Sequence, residues 1–299
     1  MKKGLILLIV LTLFIAEVSQ AQRWRQERKE FVFGFGATNF LGDLGGANQI
    51  GTNGMKDLDF PSTRPVGYIG YRYRTGKQHS VKGWGAFGFL YGNDNLTEEP
   101  LRFNRNLHFR TPIAEIGCQF EWMLTRQREG HKYRLKGVRG WRHINIQSYL
   151  FAGVSVFWFD PKAQTPDGVW HSLKPLQTEG QGMVDTRNKY SSIQPAIPFG
   201  IGFKYGIGPY WSIGLEYGIR KTFTDYLDDC STTYFDNAEI VDQNGDLAGY
   251  FADPSLGLNP SQTNEGMQRG DPTDKDAFMF ACLTVYYKIP RGRLALPKF

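Results

Sequence analysis

The sequence is poor in cysteine, histidine and charge. Its 299 residues include 3 cysteines and 5 histidines, and 21 % are charged. Cys118, Cys230 and Cys282 are too few and too far apart for a disulfide framework, and they show no zinc-like spacing. Cys118 and Cys282 lie in apolar strand contexts and read as small hydrophobes. His79, His108, His131, His143 and His171 are scattered, with no paired spacing of the kind metal-dependent hydrolases use. No nucleophile and base stand together, so the reading is non-enzymatic, with no cofactor and no metal. Modest charge beside 15 % aromatics and 35 glycines excludes a disordered tail or a coiled coil.

Long apolar runs are also missing. Beyond Ala21 no stretch reaches the roughly 18 uncharged apolar residues of a membrane helix. The nearest, Ile144 to Phe159, is interrupted by Asn145, Gln147 and Ser148. The start of the chain reads as a secretory signal, residues 1–21. Lys2 and Lys3 precede a short apolar run from Gly4 to Ala16, and Ser19-Gln20-Ala21 supplies small residues for cleavage. The mature part, 22–299, is thereby expected outside the cytoplasm. With no membrane helix it is soluble, surface-attached or a β-barrel.

What is present in abundance is period-two alternation, the strand period. From Tyr210 to Arg220, Trp211, Ile213, Leu215, Tyr217 and Ile219 share one face, while Ser212, Gly214, Glu216, Gly218 and Arg220 share the other. Segments 114–124 and 195–207 repeat the pattern. Such segments exceed ordinary strands, which average about 5–6 residues, and match tilted membrane strands. Eight are expected: 31–37, 64–75, 81–92, 110–124, 143–158, 193–207, 210–221 and 277–289. The predicted fold is all-β, an eight-stranded antiparallel transmembrane (outer-membrane) β-barrel with a filled lumen. A soluble barrel such as a lipocalin turns its apolar face inward. Here the polar face carries Arg72, Arg74, Glu115, Glu121, Lys204, Glu216 and Arg220, which suits a polar lumen.

The connections alternate in length. Segments 76–80, 125–142 and 208–209 are one set, and 38–63, 93–109, 159–192 and 222–276 the other. Short turns belong to the periplasmic side and long loops to the outside. Glycines such as Gly34, Gly70, Gly117, Gly200, Gly202 and Gly218 are expected to leave room for inward Arg, Lys and Glu. Aromatics such as Tyr71, Trp122, Trp158 and Trp211 are expected on the outer face.

The net charge of +6 conceals a split. Segments 22–30, 75–82, 124–143 and 288–299 total +14, whereas 39–63, 93–108, 159–190 and 222–276 total −13. The basic side can dock an acidic protein or face anionic headgroups. Nucleic acid is not an expected partner in this compartment. Asp242, Asn244, Asp246 and Asp253 have calcium-loop spacing, but Leu247 and Asp253 stand where such a loop has Gly and Glu. An Asn244-Gly245 turn is the simpler reading.

Two rim segments carry a resemblance. Asn39-Phe40-Leu41-Gly42-Asp43-Leu44-Gly45-Gly46 follows the first strand. Thr224-Asp225-Tyr226-Leu227-Asp228-Asp229 follows the seventh, with Tyr234 beyond. With the signal sequence and the final strand behind Arg269-Gly270-Asp271-Pro272, they resemble PorG-type outer-membrane barrels of the type IX secretion system. Asn39, Gly42, Asp43, Gly45, Asp225, Tyr226 and Asp228 are the rim residues of that likeness. The resemblance implies that the protein anchors a periplasmic ring of PorK-type lipoprotein and PorN-type protein to the outer membrane, in contact with its lipid. Cys230 and the long loop 222–276 depart from that pattern. Charge and resemblance together nominate Arg126, Arg128, Arg134 and Arg139 as periplasmic contacts, with the N-terminal arm and C-terminal tail. The alternative is an OmpA-like structural or adhesive barrel that acts through its outer loops.

Overall fold

The computed structural model describes residues 28–44, 61–97, 99–125, 146–208 and 210–289. Its strands are β1 Lys29–Leu41, β2 Arg64–Arg74, β3 His79–Asn93, β4 His108–Met123, β5 Ile146–Phe159, β6 Lys162–Gln164, β7 Trp170–Ser172, β8 Ile193–Gly206, β9 Trp211–Thr222 and β10 Ala277–Lys288. The eight long strands pair antiparallel in chain order. The β1–β10 ladder, from Glu30↔Lys288 to Leu41↔Ala277, closes the sheet. The result is an eight-stranded antiparallel barrel of outer-membrane type. β6 and β7 form a small hairpin in the 160–192 connection, attached where Lys162 pairs with Arg110 of β4.

The alternation in sequence becomes an inside and an outside. Ile116 and Leu283, both 71 % exposed, and Val154, 68 % exposed, represent the apolar outer face. The polar partners on the same strands are buried. Exposure of so many large apolar side chains on a closed barrel is stable against lipid, whereas in water it is an aggregation surface.

The lumen is filled in two layers. Near the short turns, Arg72 bonds Glu30 at 3.0 Å and Glu121 at 2.5 Å. Lys204 bonds Glu30 at 2.6 Å, and Lys82 bonds Glu216 at 2.6 Å. Tyr149 donates to Glu216 at 2.8 Å and shares a 2.8 Å bond with Tyr286. Farther along, Arg220 faces Glu115 at 3.5 Å. Each cation thus meets a carboxylate, which buried charge requires. Toward the long connections the lumen turns apolar, with Leu90, Phe109, Ile113, Phe157, Phe159, Phe278 and Phe280 in one cluster.

The structure corrects three expectations. β1 runs to Leu41 instead of ending at residue 37, so Asn39 lies in the strand and the outer loop starts later than 38. Alternation fails there because both faces of Thr38–Leu41 are buried. Glycine makes room chiefly for aromatic rings, not for the charged side chains. A Cβ on Gly34 would lie 2.2 Å from the Tyr68 ring, and one on Gly202 2.1 Å from that of Tyr149. Gly70 faces Trp84, while Gly200 and Gly218 face Phe151. Finally, Glu30, Lys82 and Lys288, counted above with the periplasmic charge, are buried.

Candidate functional site

The long-loop end is not an open mouth. Segment 224–231, which holds the second rim motif, turns into the barrel as a stopper. Leu227 is fully buried within the apolar layer. Its carbonyl accepts from Thr111 Oγ1 on β4 at 2.7 Å, and its N–H donates to Asp276 Oδ2 at 2.9 Å. The Tyr226 ring stacks on Tyr190 at 4.6 Å, and Tyr190 stacks on Phe159 at 6.0 Å.

Two guanidinium groups hold the stopper from above. Arg105, at the end of the helix Pro100–Arg105, bonds Asp94 through Nε at 2.7 Å and Nη2 at 2.9 Å. It also donates to the carbonyls of Asp43 and Arg269. Arg269 bonds Glu179 Oε1 at 2.9 Å and the Asp229 carbonyl at 2.7 Å. Glu179 in turn accepts from the N–H groups of Ser231 and Thr232. The connections 94–107, 173–190 and 223–276 thereby form one cap over the barrel.

The two rim motifs meet in this cap. Asp43 accepts from the Asp271 N–H at 2.7 Å. Asp225 accepts from Ser231 Oγ at 2.7 Å, and Asp228 from the Cys230 N–H at 3.0 Å. Asn39 donates to Thr63 Oγ1 at 3.3 Å. Gly42 is held to glycine by crowding: a Cβ there would stand 2.2 Å from Asp276 Oδ1 and 2.3 Å from the Phe40 ring. Gly45 lies outside the described residues, as do the signal segment 1–21 and Arg126, Arg128, Arg134 and Arg139.

Asp43, Asp225, Asp228 and Asp276 gather a surplus of carboxylate. Burial pushes Asp225 up to about 7. Burial and the repulsion of Asp271 and Glu179 push Asp43 up to about 6. Asp228 is driven well above the carboxylate range by burial and then by Asp276 and Asp43, and Asp276 by burial and then Asp225. Burial lifts Asp229 to about 6 against the pull of Arg269. Asp43 and Asp229 thus release their protons near pH 6 and Asp225 near pH 7, well above the ordinary carboxylate range. Burial also raises the Cys230 thiol, which donates to the Arg269 carbonyl at 3.1 Å. That is a packing role, not that of a thiolate nucleophile. Among the described residues no group of three or more His, Cys, Asp or Glu is placed to hold a metal ion.

The cap also alters the picture of the outer charge. Asp94, Glu179, Asp225, Asp228, Asp229 and Asp276, all counted as loop charge, are buried. The calcium-like run is helical, Asn237–Asn244 then Asp246–Ala252, with Gly245 between them at φ 86°. The Asn244 side chain is spent on the Leu176 carbonyl at 3.1 Å. No pattern in the sequence singles out Asp276, Arg105, Asp94 or Glu179 for this cap. Arg269 stands just before the final strand, but its carboxylate partner is 90 residues away.

Beside the cap lies a cavity of about 510 Å³ between Gly42 and Asp43, the helix Pro100–Arg105, and residues of 262–274.

Among solved structures the chain is similar to Ail, the attachment invasion locus protein of Yersinia pestis, in complex with the heparin analogue sucrose octasulfate. Identity is 10 %, the TM-score 0.39, and 88 % of this chain and 99 % of that one are covered. It is also similar to Neisserial surface protein A, with 8 % identity, a TM-score of 0.37, and 87 % and 96 % covered. OprG from Pseudomonas aeruginosa gives 10 %, 0.35, and 89 % and 98 %. Values this low concern the fold alone. No curated protein matches the sequence. Residues 3–248, well over half the chain, match the family described as a domain of unknown function (DUF6089), and the chain belongs to that family.

Proposed function

We propose that the protein is a plugged outer-membrane barrel that works as an anchor, holding a periplasmic PorK/PorN-type ring of a type IX secretion apparatus at the membrane. The observation that carries the reading is the filled lumen. Ion-paired charge occupies one end, aromatic packing the other, and the stopper seals the mouth. A barrel filled this way offers surfaces, not a conduit. The stopper also holds one of the two rim motifs of the PorG-type resemblance, and in this reading that motif has a structural use in closing the barrel. The basic segment 124–143 supplies the contact face in this reading, through Arg126, Arg128, Arg134 and Arg139. Its test is affinity capture from detergent-solubilised outer membrane, with and without charge reversal of those four. Loss of the ring proteins on reversal supports the contact; undiminished recovery overturns it.

The organised cap favours a second reading, an OmpA-like structural or adhesive barrel acting outward. Deleting residues 237–262, which removes the outer helices and spares Arg269, tests it: lost surface attachment with intact secretion supports the adhesive role, and undiminished attachment overturns it.

A further inference from the structure

The rim cavity has a chemistry that neither the lumen nor the cap requires. Its volume of about 510 Å³ falls within the range of ligand sites. Three arginines border it, yet each is committed elsewhere. Arg105 is spent on Asp94 and two carbonyls, and Arg269 on Glu179 and the Asp229 carbonyl. Arg102 Nε faces Asp94 at 3.6 Å. The carboxylates on the cavity wall are less well neutralised. Asp43 has a backbone N–H as its hydrogen-bond partner, and burial lifts its carboxyl against the pull of that N–H and of Arg105. Asp271 accepts from the N–H and hydroxyl of Thr273. Glu99 accepts from the Arg102 N–H, and Asp274 faces Lys221 in the open. Arg102 and Arg105 share the one carboxylate of Asp94, yet with Glu179 and Lys221 counted six carboxylates still face four cations, and the wall presents net negative charge.

Its mouth is apolar. Leu101 and Met267 line it and are exposed. A ledge adjoins Asn104, another residue of the cavity wall. Asn104 on the helix Pro100–Arg105 fixes segment 256–259, accepting at its carbonyl from the Leu256 N–H and at Oδ1 from those of Leu258 and Asn259. Leu256 and Leu258 are left exposed there. A small amine would fill the acidic wall and leave this ledge bare. An extended chain covers both.

We propose that this cavity docks a protein segment that places a Lys or Arg among Asp43, Asp271 and Glu99 and lays an apolar neighbour over Leu101 and Met267. The site lies at the long-loop end, where β4 begins at His108 and not where it ends at Met123, and stands apart from the ring-anchoring reading. It is built before binding, since the helix is capped by Glu99 and the ledge is fixed by Asn104. Preorganisation of this kind reduces the ordering cost of association.

The test uses the full chain in lipid nanodiscs and a fluorescein-labelled peptide of alternating Lys and Leu, read by anisotropy. Asp271→Lys with Asp274→Lys should weaken binding by about tenfold or more, equivalent to about 1.4 kcal/mol. Asp242→Lys with Asp246→Lys makes the same charge change on the same loop, away from the cavity, and should change it by less than about twofold. If the lysine pair disturbs the cap, Asp271→Asn keeps the Thr273 turn and Leu101→Ser alters only the apolar mouth; each should weaken binding on its own. Equal weakening by both lysine pairs, equal binding of a Glu-Leu peptide, or the same signal from protein-free nanodiscs would overturn the proposal.

Discussion

The cap should loosen as pH rises, and Asp229 sets a scale for the effect. Its carboxylate accepts from Thr178 Oγ1 and Tyr190 Oη, both at 2.6 Å, and is buried. Burial moves its ionisation from 3.8 to about 6 despite Arg269. Below the ordinary value the carboxyl is protonated whether the cap is closed or open, and closure is strongest. Between that value and about 6 the closed cap retains a proton that the open cap has released, so closure weakens as pH rises. Above about 6 the loss is complete, at about 3 kcal/mol, or two orders of magnitude in the opening equilibrium. Asp43, lifted to about 6, and Asp225, lifted to about 7, act in the same direction and carry the window to neutrality. Amide hydrogen exchange of segments 224–234 and 268–276, corrected for intrinsic rates, reads this directly. Protection near pH 5 should exceed that near pH 8 by tenfold or more. Asp229→Asn should flatten the difference, and its φ of 61° lies where asparagine is well tolerated. Equal protection at the two pH values, or an undiminished slope in the variant, would refute the reasoning.

Other consequences follow from the barrel itself. Glu30→Gln leaves Lys204 and Arg72 short of a shared carboxylate, and should lower unfolding stability in detergent by about 3–5 kcal/mol; adding Lys204→Met should recover part of it. Gly202→Ala forces a Cβ into the Tyr149 ring and should cost about 1–3 kcal/mol in a urea titration of the detergent-solubilised barrel. Leu283→Arg, midway along β10 on the outer face, should cost about 2–4 kcal/mol in a bilayer and much less in a design that places it near a strand end. In planar bilayers the purified chain should show no steady conductance, and removal of segment 224–231 should leave the aromatic layer to be judged alone.

What the sequence made legible follows from what it repeats. Leu215 and Glu216 on β9, or Ile116 and Glu115 on β4, alternate because each strand has lipid on one side and a polar lumen on the other. That contrast persists for many residues, so strand number, pairing order and the inward charges can be read from one line of text. Contrast disappears where both faces are covered. Thr38-Asn39-Phe40-Leu41 is strand without alternation, and the strand end was misplaced there. The cap was harder still. Arg269 finds Glu179, Arg105 finds Asp94, and Asp276 joins Asp43 and Asp228, each through folding of loops that carry no period. Net charge misled for the same reason. An aspartate in a loop contributes the same unit to a sum whether it faces solvent or is buried under Arg269. The acidic loop is thus a different object in three dimensions: part of its charge is internal and protonatable, and Asp271 and Asp274 stand on the rim wall. The rim's charge therefore depends on pH through its buried carboxylates, which respond to cap opening. A cationic partner at the cavity and a proton in the cap both relieve the same excess at Asp43. Docking should thus be weaker near pH 5 than near pH 8, and binding titrations with the Lys-Leu peptide at the two pH values would sink the link between cap and cavity if affinity did not fall on acidification.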